Sequence, residues 1–263
     1  MSPRILTSLI LCTTIIASAS LVRAQPAPAA APATAPSTRP APQHADIPAI
    51  KPGGRNGGPN PFITRHEGFV EIAKQGNVDV LFQGDSITDG WRTRGLEVWN
   101  KTYGNLKAAN FGIGGDQTQH VLWRMQNGEM DGITPKVVVL MIGTNNTSSN
   151  PPAEIAHGVE LIVKYIREKS PTTKVLLLAI FPRGRTMDDP RTAVINQVNP
   201  IISKLDDGKM VRYLDIGDKF LGHTAAGPTT VPAEIMPDAL HPNAAGYQIW
   251  ADAMQPLLME MLK

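Results

Sequence analysis

Val80-Leu81-Phe82-Gln83-Gly84-Asp85-Ser86-Ile87-Thr88 is an apolar run that stops at Gly-Asp-Ser. A run of this kind reads as a strand buried on both faces, ending where a serine hydroxyl meets the edge of a sheet. Similar β-branched runs occur at Val78 to Phe82, Ala108 to Ile113, Val137 to Ile142, Val175 to Phe181 and Val211 to Ile216. Their near-continuous hydrophobicity predicts parallel strands covered on both sides. Helical spacing fills the gaps: Thr118 to Met125, Pro152 to Lys169, Pro190 to Leu205 and Ala244 to Leu262. For the second of these, Asn150 is a candidate cap, Pro151 and Pro152 mark the start and Ser170-Pro171 the stop. Alternating strands and helices predict a three-layer α/β/α sandwich on a five-stranded parallel sheet, with any ligand site outside the carboxyl ends of the strands. The polar motifs fall at those ends: Gly84-Asp85-Ser86, Gly112-Ile113-Gly114-Gly115-Asp116 and Gly143-Thr144-Asn145-Asn146-Thr147.

A serine hydroxyl is a poor nucleophile until a base takes its proton and a third group orients that base. Asp238-Ala239-Leu240-His241-Pro242 offers both. His241 can accept the Ser86 proton and return it to a leaving group, and Asp238, three residues earlier, can fix its tautomer. The competing readings are structural, with Ser86 as a helix N-cap and Asp238 as the start of an Asx turn. A hydroxyl attacking a carbonyl also needs donors for the oxyanion. Gly115 can bring a backbone N–H close, the Asn145 amide supplies a second donor, and the Ser86 N–H supplies a third. Asp85 sits beside Ser86 but points away from it on an extended chain, so it is assigned a structural hydrogen bond. Asp116, Asp188 and Asp189 read as solvated or capping residues.

In these blocks the chain resembles the GDSL or SGNH hydrolase superfamily. The nucleophile block is Gly84-Asp85-Ser86, the glycine block Asn110 to Asp116, the asparagine block Gly143 to Asn146 and the terminal block Asp238 to His241. Four such blocks in order are far more specific than any one. His120-Val121-Leu122-Trp123-Arg124 and Pro182-Arg183-Gly184 are similar, more narrowly, to the catalytic subunits of the intracellular platelet-activating factor acetylhydrolases. The resemblance implies a flavodoxin-like sandwich, a serine esterase working through an acyl-enzyme, and a small acyl group such as acetyl. Three alternatives stay open: a lysophospholipase or thioesterase for longer chains, a non-catalytic carbohydrate-binding module using the same cleft, and acyl transfer to a sugar in place of hydrolysis. Gly84-Asp85-Ser86-Ile87-Thr88 is not the G-x-S-x-G elbow of lipases, and the acid precedes the base by only three residues.

Outside this domain, Met1 to Ala24 combines a basic start, an apolar core and Val22-Arg23-Ala24, the parts of a secretory signal; an uncleaved anchor is the competing reading. The expected location is therefore secreted or periplasmic, with no stable membrane span after cleavage, and acetylated carbohydrate is the substrate that this location suggests. Cys12, the one cysteine, lies inside that signal, which leaves no disulfide framework and no cysteine chemistry beyond it. Residues 25–61 are rich in Ala, Pro and Gly and lack apolar periodicity, so they read as a disordered tether before a hydrolase domain at 62–263. A net charge of +2 without basic runs makes nucleic acid an unexpected partner. The histidines at 44, 66, 120, 157 and 223 show no H-E-x-x-H spacing, and neither metal nor cofactor is expected.

Overall fold

The computed structural model describes residues 42–53, 58–186, 188–224 and 227–263. The expected signal at 1–24 and most of the expected tether lie outside the described residues.

Five strands form one sheet: β1 Val80–Gly84, β2 Ala108–Asn110, β3 Val137–Met141, β4 Lys174–Leu178 and β5 Val211–Leu214. Their spatial order is β2-β1-β3-β4-β5, and every pairing is parallel. The pleat explains why these runs are apolar throughout. Leu81, Val138, Leu140, Val175 and Leu177 enter one core, while Val80, Phe82, Val137, Val139, Leu176 and Leu178 enter the other. Because successive side chains face opposite ways, a strand covered on both sides has no polar face to show.

The first core is covered by α1 (Pro61–Lys74), α4 (Thr118–Arg124), α5 (Pro152–Lys169) and α6 (Pro190–Ile202). The second is covered by α3 (Leu96–Tyr103) and α7 (Ala244–Met261), and α2 is the single turn Ser86–Asp89. This is the expected three-layer α/β/α sandwich. Two helices went unanticipated, α1 and α3. In α1 the buried residues are Phe62, His66, Phe69 and Ala73, a stripe whose second member is polar and whose apolar signal is therefore broken. β2 ends at Asn110 rather than Ile113, because the Asn110 side chain folds back onto the Gly112 N–H at 2.9 Å and the Thr88 carbonyl at 2.8 Å. Asn150 does not cap α5. Its amide instead reaches the Gln43 carbonyl at 2.9 Å and Glu154 at 3.0 Å.

That contact exposes the largest correction, at the amino-terminal boundary. Residues 42–53 form an ordered strap on the domain. Ala45 is fully buried; its N–H donates to Glu154 and its carbonyl accepts from the Thr118 hydroxyl at 2.6 Å. The Ala49 N–H donates to the Gln119 carbonyl at 3.2 Å, and Asn60 caps α1 while its amide holds the Lys51 carbonyl at 2.8 Å. The Ala/Pro composition conceals this docking because the strap is held by backbone groups, which any residue carries, rather than by an apolar face. The folded unit thus begins well before position 62.

Candidate active site

Gly84 closes β1 where only a glycine fits, since a Cβ there would stand 2.3 Å from the Thr88 hydroxyl and 2.4 Å from the Met141 carbonyl. The chain turns directly into α2. Asp85, fully buried, caps it by accepting the Ile87 N–H at 2.9 Å. The N-cap role considered for Ser86 thus belongs to Asp85, and Ser86 is the first helical residue, its hydroxyl not spent on the cap. From α7, in the same layer, the buried Tyr247 hydroxyl donates to the Ile87 carbonyl at 2.6 Å and pins the turn.

Ser86 Oγ lies 2.8 Å from His241 Nε2, and His241 Nδ1 lies 2.6 Å from Asp238 Oδ2. With the carboxylate accepting the Nδ1–H, Nε2 is left as the acceptor for the serine hydroxyl. The Asx turn and the relay prove to be one arrangement. Asp238 Oδ1 accepts the N–H groups of Leu240 and His241 at 3.1 and 2.7 Å, while Oδ2 holds the ring. The turn needs Ala239 at φ 57°, a left-handed conformation that a non-glycine residue rarely adopts. Partial burial works to raise the Asp238 pKa, but the hydrogen bonds from His241 and Leu240 prevail and hold it at about 2. Asp238 is therefore a carboxylate wherever the protein is folded and working.

The glycine loop passes beside Ser86. A Cβ on Gly114 would lie 3.8 Å from the Ser86 Cβ, and Gly115 adopts φ +75°. Asn145 reaches the same loop, its Nδ2 donating to the Asp116 carbonyl at 2.8 Å. One amide hydrogen is therefore committed to the loop, and the second remains for a ligand. The structure thus brings Ser86, Asp238, His241, Gly115 and Asn145 to one sheet edge.

Asp116 is not solvated. It is fully buried, and Oδ2 accepts from Arg124 Nε at 2.9 Å. Arg124 also binds Glu129 at 2.5 Å and donates to Gln83 at 3.2 Å; Glu129 in turn meets His66 at 3.1 Å and Gln83 at 2.8 Å. Burial works against the Arg124 charge, but the carboxylates of Glu129 and Asp116 outweigh it and hold the guanidinium above its ordinary range. Lys51, from the strap, donates to the Gly114 carbonyl and lies 3.4 Å from Asp116 Oδ1. Of the other acids, Asp189 caps α6 as expected, accepting the Arg191 N–H at 2.9 Å. His44, Asp46 and Glu154 place one ligand atom each within 4.8 Å of one another and could hold a cation. In this structure they act as clasps of the strap, His44 with Glu154 at 3.5 Å and Asp46 with His157 at 2.9 Å.

A cleft of about 880 Å³, bounded by Lys51 and Pro52 of the strap, Phe62 and Arg65 of α1 and Asp89, reaches the glycine loop at Gly114, whose backbone neighbours Ser86. Its volume is that of a small-molecule site.

Burial pushes the Asp85 carboxyl up to about 7, the Asp116 carboxylate adding to the effect, against the Ile87 N–H, Arg183 and Lys51. Its folded pKa exceeds the unfolded value, so the native state holds the extra proton between about pH 4 and 7 and stability falls as pH rises through that window. Asp85→Asn is expected to remove this component. Between pH 5 and 8, urea denaturation should show wild type losing on the order of 2 kcal/mol relative to the variant. Parallel pH profiles would show that Asp85 does not ionise there.

Residues 82–249 match the model of the GDSL-like lipase/acylhydrolase family. The human platelet-activating factor acetylhydrolase IB subunit alpha2 is 36% identical over 209 residues, which cover 78% of this chain and 87% of that protein. Among solved structures, a GDSL-like lipase of Bacteroides thetaiotaomicron superposes with a TM-score of 0.62 at 17% identity, covering 76% of this chain and 98% of the other. A catalytic mutant of an acetylxylan esterase from Geobacillus stearothermophilus gives 0.53 at 19% identity, covering 71% and 94%. These two likenesses carry the fold; the family match spans all four motif blocks. The chain belongs to the GDSL-like lipase/acylhydrolase family and is a carboxylic ester hydrolase.

Proposed function

We propose that this hydrolase is an exported serine esterase that removes short acyl groups, acetyl above all, from carbohydrate alcohols. The observation that carries the reading is the Ser86–His241–Asp238 relay, with spacings of 2.8 and 2.6 Å, beside a glycine loop that can receive an oxyanion. Ser86 Oγ attacks the ester carbonyl as His241 Nε2 takes its proton. The Gly115 N–H, the Ser86 N–H and the second Asn145 amide hydrogen receive the negative charge on the carbonyl oxygen. His241 passes the proton to the departing alkoxide and leaves an acyl-Ser86. A water then gives its proton to His241 and its oxygen to the acyl carbon, releasing the acid and restoring the serine.

Three features support the narrower substrate class. The acetylhydrolase relative and the acetylxylan esterase structure both act on acetyl groups by their names. The cleft that reaches the glycine loop at Gly114 sets apolar walls such as Pro52 and Phe62 beside the charges of Arg65 and Asp89, a mixture suited to a sugar ring with C–H faces and hydroxyl edges. The basic-apolar-small order of Met1 to Ala24 supports export. On p-nitrophenyl esters of increasing length, kcat/KM is expected to fall steeply beyond butyrate, and acetylated xylan is expected to release acetate. Equal rates on long acyl esters or lysophospholipid would overturn the short-acyl reading. Amino-terminal sequencing of protein recovered from culture medium or periplasm should begin near Gln25.

A further inference from the structure

We propose that Lys51, supplied by the amino-terminal strap, is a positioning residue that orients and polarises the peptide between Gly114 and Gly115 for oxyanion binding. This rests on the reading of Gly115 as an oxyanion donor.

Lys51 Nζ donates to the Gly114 carbonyl, and the N–H on the other side of that planar trans unit belongs to Gly115. Holding the carbonyl oxygen on one side therefore fixes the N–H on the opposite side. An ammonium on the oxygen also draws electron density through the amide and leaves the N–H a stronger donor. Gly115, at φ +75°, has no side chain to hold it in place, and among the described residues its N–H finds no acceptor in the protein. Left to itself, a Gly-Gly step would sample other orientations.

The remaining contacts hold the loop from the other end. Asp116 is gripped by Arg124 through its carboxylate and by Asn145 through its carbonyl, and its N–H donates to the Ile113 carbonyl at 3.1 Å. None of these touches Gly114. Among the described residues the two side chains that reach the Gly112 to Gly114 carbonyls are Arg92, on Gly112 at 3.2 Å, and Lys51, on Gly114. The Lys51 ammonium also faces Asp116 Oδ1 at 3.4 Å, so its charge is compensated and its position over the loop is held. The amino-terminal segment is thus part of the catalytic apparatus, although it lies outside residues 82–249 that match the family.

The test separates this role from simple scaffolding. The strap is docked by Ala45, Ala49 and the backbone carbonyl of Lys51, none of which depends on the Lys51 ammonium. Lys51→Met should therefore stay folded, with its melting temperature within a few degrees of wild type. On p-nitrophenyl acetate its kcat should fall about tenfold, less than the ~10²–10³-fold expected for deleting a whole oxyanion donor, with KM within about twofold. Lys51→Arg keeps a cation and should recover most of the loss. Asn145→Ala in the same assay monitors the underlying reading. If Asn145→Ala loses kcat and Lys51→Met does not, the Lys51 proposal fails alone; if Asn145→Ala keeps wild-type kcat, the oxyanion reading fails. A loss in Lys51→Met that appears in KM only, or that Lys51→Arg does not restore, also overturns it.

Discussion

Ser86→Ala is expected to lower kcat on p-nitrophenyl acetate by ~10⁴-fold or more while leaving the fold intact. The size of the effect follows from how the site is built. Ser86 Oγ is the atom 2.8 Å from His241 Nε2, and His241 is in turn held by a carboxylate that stays ionised, so removing the hydroxyl removes the bond-forming atom and leaves the relay with nothing to deprotonate. The turn itself should survive, because its anchors are the Asp85 cap and the Tyr247 hydroxyl, neither of which involves the Ser86 side chain. A fluorophosphonate should label wild type at Ser86, located by mass spectrometry of the digest, and should not label the variant. An adduct on another serine, or a variant that keeps its esterase activity, would assign the chemistry elsewhere.

Arg124→Met is expected to cause the largest loss of stability, about 3–5 kcal/mol, because it leaves Glu129 as a buried carboxylate without its cation and Asp116 with only Lys51, at 3.4 Å, facing it. For a domain of this size that corresponds to a melting temperature lower by roughly 10 °C. Arg124→Met combined with Glu129→Gln should recover part of the loss, since one stranded charge is then gone, and the two effects should be non-additive. Full additivity, or a loss below about 1 kcal/mol, would show that the network does not hold the core together. Calorimetry of the four proteins decides between them.

The fold was legible because a doubly covered parallel strand has to be apolar at nearly every position, as Val137 to Met141 is, and because α5 announces both of its ends with prolines. The relay was legible for a different reason: Asp238 and His241 act across three residues, within the reach of a local motif. What escaped were contacts that have no local pattern. Arg124 meets Glu129 five residues away but Gln83 at 41 residues, and Lys51 meets Gly114 at 63. A buried charge satisfied by distant partners looks, in one dimension, like any surface charge. Asp116 was misjudged on those grounds. The strap was misjudged because its grip is through peptide groups and polar side chains with distant partners, which composition does not report.

The strap also has a consequence for the order in which the molecule assembles. Ala45 bonds to Glu154 across 109 residues, Asn150 to Gln43 across 107 and Thr118 to Ala45 across 73. The segment that leaves the ribosome early thus waits for α4 and α5 before it can settle, and the loop it closes is among the longest in the chain. Maturation of the esterase is therefore expected to lag behind formation of its sheet. In a refolding time course the burial of Trp91 and Trp250 should be complete before full turnover is reached, with the interval between them set by how fast the strap finds its seat.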